Sequence, residues 1–219
     1  MTKIIFLLSL FLISVSGFNL RASKQTYDSY AFAVQWPNGY CAANSCAGRD
    51  SVVEKNTMTI HGLWPSLKSG KYLDDCTSGV SVVDTGSALF LKMRKYWPSF
   101  TGTNTVFWNH EYNKHGYCMV EEYDWDGYDD YFDFVIDLYE SKYKYLLKNA
   151  FGYSNKNVTV TYSEMQTKIR KIIPNATFKM NCKSKFIYEI YFYLEKDDFS
   201  PSTDSRYSNT CTSATLIFK

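Results

Sequence analysis

Alternation of large apolar side chains with other residues is strongest at 186–194, where Phe186, Tyr188, Ile190, Phe192 and Leu194 take every second position. That is the period of a β-strand. Residues 177–182 precede it across a short turn at 183–185 and are expected to pair with it. Near the other end, Tyr30, Phe32 and Val34 alternate through 27–36, a strand that delivers Gln35 and Trp36 to its end before Pro37, Asn38 and Gly39 stop it. A β-favouring run at 57–60 leads into His61-Gly62-Leu63-Trp64-Pro65, a polar loop follows at 66–72, and 212–218 reads as a last strand. In the middle of the chain the spacing becomes helical. Leu89, Met93 and Tyr96 mark a helix over 87–97 that Pro98 ends. Phe132, Val135, Leu138, Tyr139, Lys142 and Leu146 mark another that Gly152 closes, and Ser163 with Gln166 forms a capping box for a third that ends before Pro174. Strands at both ends with helices between them imply an α+β fold: an antiparallel sheet with several packed helices in a single disulfide-stabilised domain.

The first residues stand apart from this pattern. Lys3, the apolar run 4–15 and the small residues Ser16 and Gly17 read as a signal peptide over 1–17, with a core too short for a membrane span. Residues 18–219 are then long enough for one domain with an adequate core. Six cysteines (Cys41, Cys46, Cys76, Cys118, Cys182 and Cys211) behind a leader point to three disulfides, although spacing alone does not choose the pairing. Sequons at Asn157 and Asn175 fit a secreted glycoprotein. The expected location is the medium or the lumen of an acidic compartment, and the expected state is a monomer.

Charge narrows the chemistry. With 24 Lys and Arg against 22 Asp and Glu, the chain lacks the overall basicity of a general nucleic-acid binder, so an anionic substrate must be held by a local pocket. The chain has three histidines, and two of them lie in 107–118, which reads FWNHEYNKHGYC; the third is His61. One histidine alone says little, but all three fall in two short Trp-containing segments beside glycine. On a helix at about 100° per residue, Lys114, Glu111 and His115 lie near 40°, 100° and 140° from His110, on one face. Thr105 is a plausible cap and Gly116 a stop, leaving His115 beside a terminus at a cleft wall.

Three alternatives fail on the residues. His110-Glu111-x-x-x-His115 has the wrong interval for a zinc helix, whose ligands stand at i and i+4, and Lys114 would crowd a cation. Paired cysteines leave no thiol nucleophile, and there is no G-x-S-x-G elbow. Asp124-x-Asp126-Gly127 places its glycine too early for an EF-hand, so the acidic stretch 121–133 is expected to be a solvated loop leading into a helix. What remains is acid–base work on an anion without metal or cofactor. Two imidazoles exchange protons near neutrality, and a lysine with a further imidazolium holds phosphate charge. RNA suits this set because its 2′-hydroxyl is a built-in nucleophile.

His61-Gly62-Leu63-Trp64-Pro65 and Phe107-Trp108-x-His110-Glu111-x-x-Lys114-His115-Gly116 resemble the two active-site segments of the T2-type secreted ribonucleases, and the likeness runs from around Gln35 to Cys211. The resemblance implies an endoribonuclease of low base specificity that acts on single-stranded RNA through a 2′,3′-cyclic phosphate. His115 would be the general base, His61 the general acid, and His110 a phosphate ligand, with Glu111 and Lys114 stabilising the transition state. It places Trp64, Ser66 and Tyr72 at a first base site, with Ser66 departing from the usual Asp or Asn, and Gln35 and Phe107 at a second. It also implies the bridges Cys41–Cys46, Cys76–Cys118 and Cys182–Cys211. The alternative reading on the same scaffold is a secreted recognition or defence protein in which RNA cleavage is secondary.

Overall fold

The computed structural model describes residues 26–46, 57–73, 76, 79–151, 158–203, 210–211 and 216–218. Residues 1–17, expected as a signal peptide, lie outside them, as do Gly152 and Asn157. Among the described residues six strands form one sheet: β1 (Ser29–Gln35), β2 (Thr59–Ser66), β3 (Val158–Val160), β4 (Phe178–Lys183), β5 (Phe186–Glu195) and β6 (Leu216–Phe218). The order is β2-β1-β5-β6-β3, with β4 also paired to β5. Every pairing is antiparallel except the short contact of β5 with β6. The predicted α+β architecture, with helices between the terminal strands, is the one observed.

The sheet has two different faces. Tyr30, Phe32 and Val34 of β1, Ile60 and Leu63 of β2, and Ile187, Ile190, Phe192 and Leu194 of β5 join the main core under the helices. On the opposite face Ala31 and Ala33 form a low floor beneath Trp64, Tyr191 and Tyr193. Two irregularities set these faces. Ala33 pairs with Gly62 but Val34 pairs with Ile60, so His61 is the extra residue of a β-bulge. The bulge lets Ile60 and Leu63 both enter the core and turns His61 onto the floor side, a usual use of bulges beside active sites. In β5, Tyr188 is the extra residue between Ile187 and Glu189. The strict alternation predicted for this strand therefore breaks at Tyr188, and Ile187 and Ile190 face the same way.

The helices are α1 (Pro37–Ala43), α2 (Ala88–Tyr96), α3 (Asn104–Glu111), α4 (Tyr117–Tyr123), α5 (Tyr128–Leu138), α6 (Leu146–Phe151) and α7 (Tyr162–Ile172). The turn expected at Pro37 is the start of α1, with proline in its first turn, where the missing N–H costs nothing. The capping box of α7 is Thr161 with Glu164, not Ser163 with Gln166: Thr161 Oγ1 accepts from Glu164 N, and Glu164 accepts from Thr161 N. The 121–133 stretch is mostly helical, with α4 running to Tyr123 and α5 beginning at Tyr128. Between them Asp124 takes a left-handed backbone at φ 54°.

The largest departure is at Gly116, which does not stop the helix. Residues Tyr112–Gly116 form a π-turn joining α3 to α4, with Tyr117 N donating to Tyr112 O across five residues. Gly116 is needed for space, because a Cβ there would lie 2.7–2.9 Å from the buried Tyr131 ring. Thr103, not Thr105, caps α3, accepting from Val106 N. A second π-turn, Tyr139–Tyr143, extends α5.

Among the described residues β2 is a border strand, and its outward carbonyls are met from the helical layer. Trp97 Nε1 donates to His61 O at 2.6 Å and Tyr131 Oη to Leu63 O at 3.2 Å; Tyr139 Oη donates to Met58 O just before the strand. Trp108 Nε1 in turn donates to Trp97 O at 2.7 Å. These rings are fully buried, so each carries several kcal/mol of apolar burial (about 1.5–3) together with one directed bond. The backbone that carries His61 is thus clamped from behind.

Candidate active site

The π-turn lies against β2, and the site forms where they meet. Trp64 is its pivot. Its ring lies 4.9 Å from His61, edge to face, and 5.1 Å from His115. Its Nε1 donates to Glu111 Oε2 at 2.8 Å. Two imidazoles from segments 54 residues apart in sequence therefore touch one indole that is itself locked by a carboxylate.

The four side chains placed together on one helical face divide into two stripes. Glu111 and His115 are buried toward β2, whereas His110 and Lys114 are exposed. Glu111 is 1% exposed, and its Oε1 lies 3.5 Å from His61 Nε2. Burial alone would raise its pKa, but the positive His61 outweighs this and the carboxyl is held below its usual range.

His61 is bracketed by two carboxylates. Nε2 faces Glu111, while Nδ1 is hydrogen-bonded to Glu189 of β5. Burial would depress this imidazole, yet the two charges dominate and push it up to about 10. His115 is the opposite case. Burial lowers its pKa, and Glu111 only partly offsets that. Its Nδ1 lies 2.7 Å from Leu73 O. A carbonyl accepts only, so Nδ1 carries the proton and Nε2 of the neutral ring is left as a base. One imidazole is thus prepared to hold a proton and the other to receive one.

The predicted base-site residues separate in the structure. Tyr72 is half-buried and meets Trp64 at 5.2 Å. Ser66 is not available to a ligand: it ends β2 instead of opening a loop, has no exposed surface, and donates its Oγ to Trp64 O at 2.9 Å. Gln35 and Phe107 line a cavity of about 420 Å³ beside His61, together with Phe100, Lys183 and Glu189. Phe107 lies 5.6 Å from the His61 ring.

Glu189 is absent from the candidates that the sequence offers, although it is the single acidic residue in the apolar run 186–194. Gly62 flanks His61 in the sequence motif, but its φ is not positive and the reason for glycine is space. A methyl group there would be driven into Glu111 Oε2 and Trp64 Nε1. Gly62→Ala should therefore cost about 1–3 kcal/mol of stability by overpacking and lower kcat/KM on RNA further than Tm alone explains, because it breaks the Trp64–Glu111 bond. Denaturant unfolding alongside steady-state kinetics checks both. All six cysteines are bridged as the resemblance implied, Cys41–Cys46, Cys76–Cys118 and Cys182–Cys211.

Comparison with known proteins places this geometry. The Ribonuclease T2 family profile matches residues 27–211. Ribonuclease Rh of Rhizopus niveus is 34% identical over 207 residues, covering 84% of this chain and 80% of that protein. Ribonuclease DdI of Dictyostelium discoideum is 38% identical over 113 residues, 52% of this chain, and the match spans about half of that relative (49%). Among solved structures, RNase NT in complex with 5′-AMP aligns with a TM-score of 0.71 at 26% identity, covering 88% of this chain and 98% of that one. The SF11-RNase of Nicotiana alata aligns at 0.70 and 18% identity over 89% and 100%, a likeness of fold alone. Both histidine segments and the strands that hold them lie inside the matched region, and the chain belongs to the Ribonuclease T2 family and is an endoribonuclease.

Proposed function

We propose that the protein cleaves single-stranded RNA by metal-independent transphosphorylation, with His115 as general base and His61 as general acid. The observation that carries this reading is the opposed electrostatics of the two rings. Two titratable groups driven apart by their surroundings mark the acid and the base of a site. His115, held low by burial with Nδ1 given to Leu73 O, offers Nε2 to a 2′-hydroxyl. His61, held high between Glu111 and Glu189, keeps a proton for the leaving 5′-oxygen. The exposed His110 and Lys114 are the cations available to hold the phosphate, and Glu111 acts on both rings. Trp64 with Tyr72, and Gln35 with Phe107, flank the imidazoles as surfaces for the bases on either side of the bond, where stacking contributes about 1–3 kcal/mol per base. Recognition by stacking fits low base specificity. A monomer released to the medium or to an acidic lumen, with a glycan on the exposed Asn175, completes the proposal.

The test is cleavage of dinucleoside phosphates and of the matching DNA dinucleotides with a chelator present. Cleavage of RNA alone, unchanged by EDTA and yielding a 2′,3′-cyclic phosphate by mass, is the expected result. Loss of cleavage on chelation, or cleavage of DNA, would overturn it.

A further inference from the structure

We propose that Glu189 is a positioning residue of the reaction: it holds the Nδ1 proton of His61 and thereby fixes the tautomer and ring plane in which Nε2 delivers its proton. This rests on the acid–base reading above. Glu189 sits on β5 where the chain is otherwise apolar, in register with Gln35 on one side and Asn181 on the other, and is 3% exposed. A carboxylate buried that deeply is unfavourable unless both oxygens are hydrogen-bonded. Here Oε2 accepts from Tyr191 Oη and from Asn181 Nδ2, the latter at 3.2 Å, which leaves Oε1 to His61. Asn181 is held in turn by Thr210 Oγ1 at 3.3 Å, beside the Cys182–Cys211 bridge. The carboxylate is therefore fixed from behind before it meets the imidazole. Packing alone does not call for this arrangement, since an aliphatic residue would continue the strand.

The charged and titratable groups around His61 come from every neighbouring element. Glu189 and Tyr191 belong to β5, with Lys179 of β4 over the Tyr191 ring at 5.3 Å. Glu111 comes from α3 and His115 from the π-turn; Tyr72 lies beyond Trp64, Lys183 lines the adjoining cavity, and His110 and Lys114 are exposed. Of these, Glu189 alone is bonded to Nδ1 among the described residues.

The proton balance shows what the contact does. In cleavage the 2′-oxygen bonds to phosphorus and its proton passes to Nε2 of His115. The bond from phosphorus to the 5′-oxygen breaks, and that oxygen takes the proton from Nε2 of His61. The ring left behind is neutral, with its remaining proton on Nδ1 and still given to Glu189. Nε2 then presents a lone pair, the state needed to take a proton from water as that water bonds to phosphorus. The bond to the 2′-oxygen breaks in that second step, and the oxygen is protonated by His115. Without Glu189 the neutral ring could place its proton on Nε2 and stall this step.

Three histidines make the test direct, because the imidazole C–H signals of the whole protein can be assigned and titrated by NMR. In wild type His61 should titrate far above His115. In Glu189→Gln, which keeps the shape and an acceptor oxygen but not the charge, the His61 midpoint should fall by at least one pH unit. The alkaline limb of kcat/KM should move down by the same amount while KM changes less than threefold; Glu189→Asp should recover part of the shift. A folded Glu189→Gln protein with unchanged His61 titration and limb would overturn the proposal. Should that variant not fold, the wild-type ¹H–¹⁵N spectrum above the His61 midpoint decides: Nδ1–H supports the proposal and Nε2–H overturns it. A wild-type protein that cleaves no RNA sinks the proposed function, whereas the titration and tautomer still decide the role of Glu189.

Discussion

Replacing His115 with alanine should lower kcat/KM on RNA by about 10²–10⁴, the usual contribution of one positioned proton acceptor. The change removes an imidazole whose environment favours the free base, and the acid limb of the pH profile should flatten with it. The sign follows from the direction of the shift. A ring held below its ordinary range becomes protonated only at lower pH, so wild-type activity should persist into acid and then fall as His115 is charged. His115 is also buried against Trp64, so the loss must be separated from unfolding. His115→Asn serves that purpose, since its amide can still donate to Leu73 O while offering no base. Near-wild-type stability with the same deep loss in kcat/KM is expected, measured by thermal unfolding and initial rates across pH. His61→Ala should lose as much, and the double variant little more than either alone, because acid and base act as a unit. A His115→Asn protein within threefold of wild type would end the assignment.

Opening the Cys76–Cys118 bridge should be the most damaging change to stability. The bridge spans 42 residues, and chain entropy assigns such a loop about 4 kcal/mol. The Cys41–Cys46 bridge spans 5 residues and should contribute about 2 kcal/mol. Urea midpoints of the paired serine variants, Cys76→Ser with Cys118→Ser and Cys41→Ser with Cys46→Ser, compare them directly. The larger bridge should cost activity as well. Cys76 follows closely on Leu73, whose carbonyl orients His115, and Cys118 lies in the first turn of α4 just past the π-turn that carries His115. Releasing the tie loosens donor and acceptor of one hydrogen bond together. Equal losses from both pairs would show that the bridge does not hold the site.

Much of this is legible in the chain. Alternation at 30–34 and 186–194 marks the sheet, and three histidines in two short segments mark the site. What escapes is set by tertiary packing. No local signal announces the bulge that turns His61 to the floor side, because Ile60 and Leu63 enter the core only once β1 lies beside them. Gly116 reads as a helix stop until the Tyr131 ring is in place; its real constraint comes from another helix. Thr161 and Ser163 are both capping residues with Glu164 and Gln166 three positions on, and Thr161 takes the role because α7 already begins at Tyr162. Ser66 looks like a loop residue because its pairing with Ser29 of β1, invisible in the pattern, prolongs β2 to it. Glu189 is within reach: one acid in a nine-residue apolar strand either lies at a border or has a buried partner, and His61 is the candidate the chain supplies.

The border strand has a further consequence. With Met58, His61 and Leu63 already receiving protons from phenol and indole groups, the main chain there has no carbonyl at these positions to offer an incoming extended segment. A polynucleotide must be gripped through side chains, and a second copy of the chain finds no ladder to extend on that side. The clamp that steadies His61 also guards the molecule against growing into a fibre from that edge.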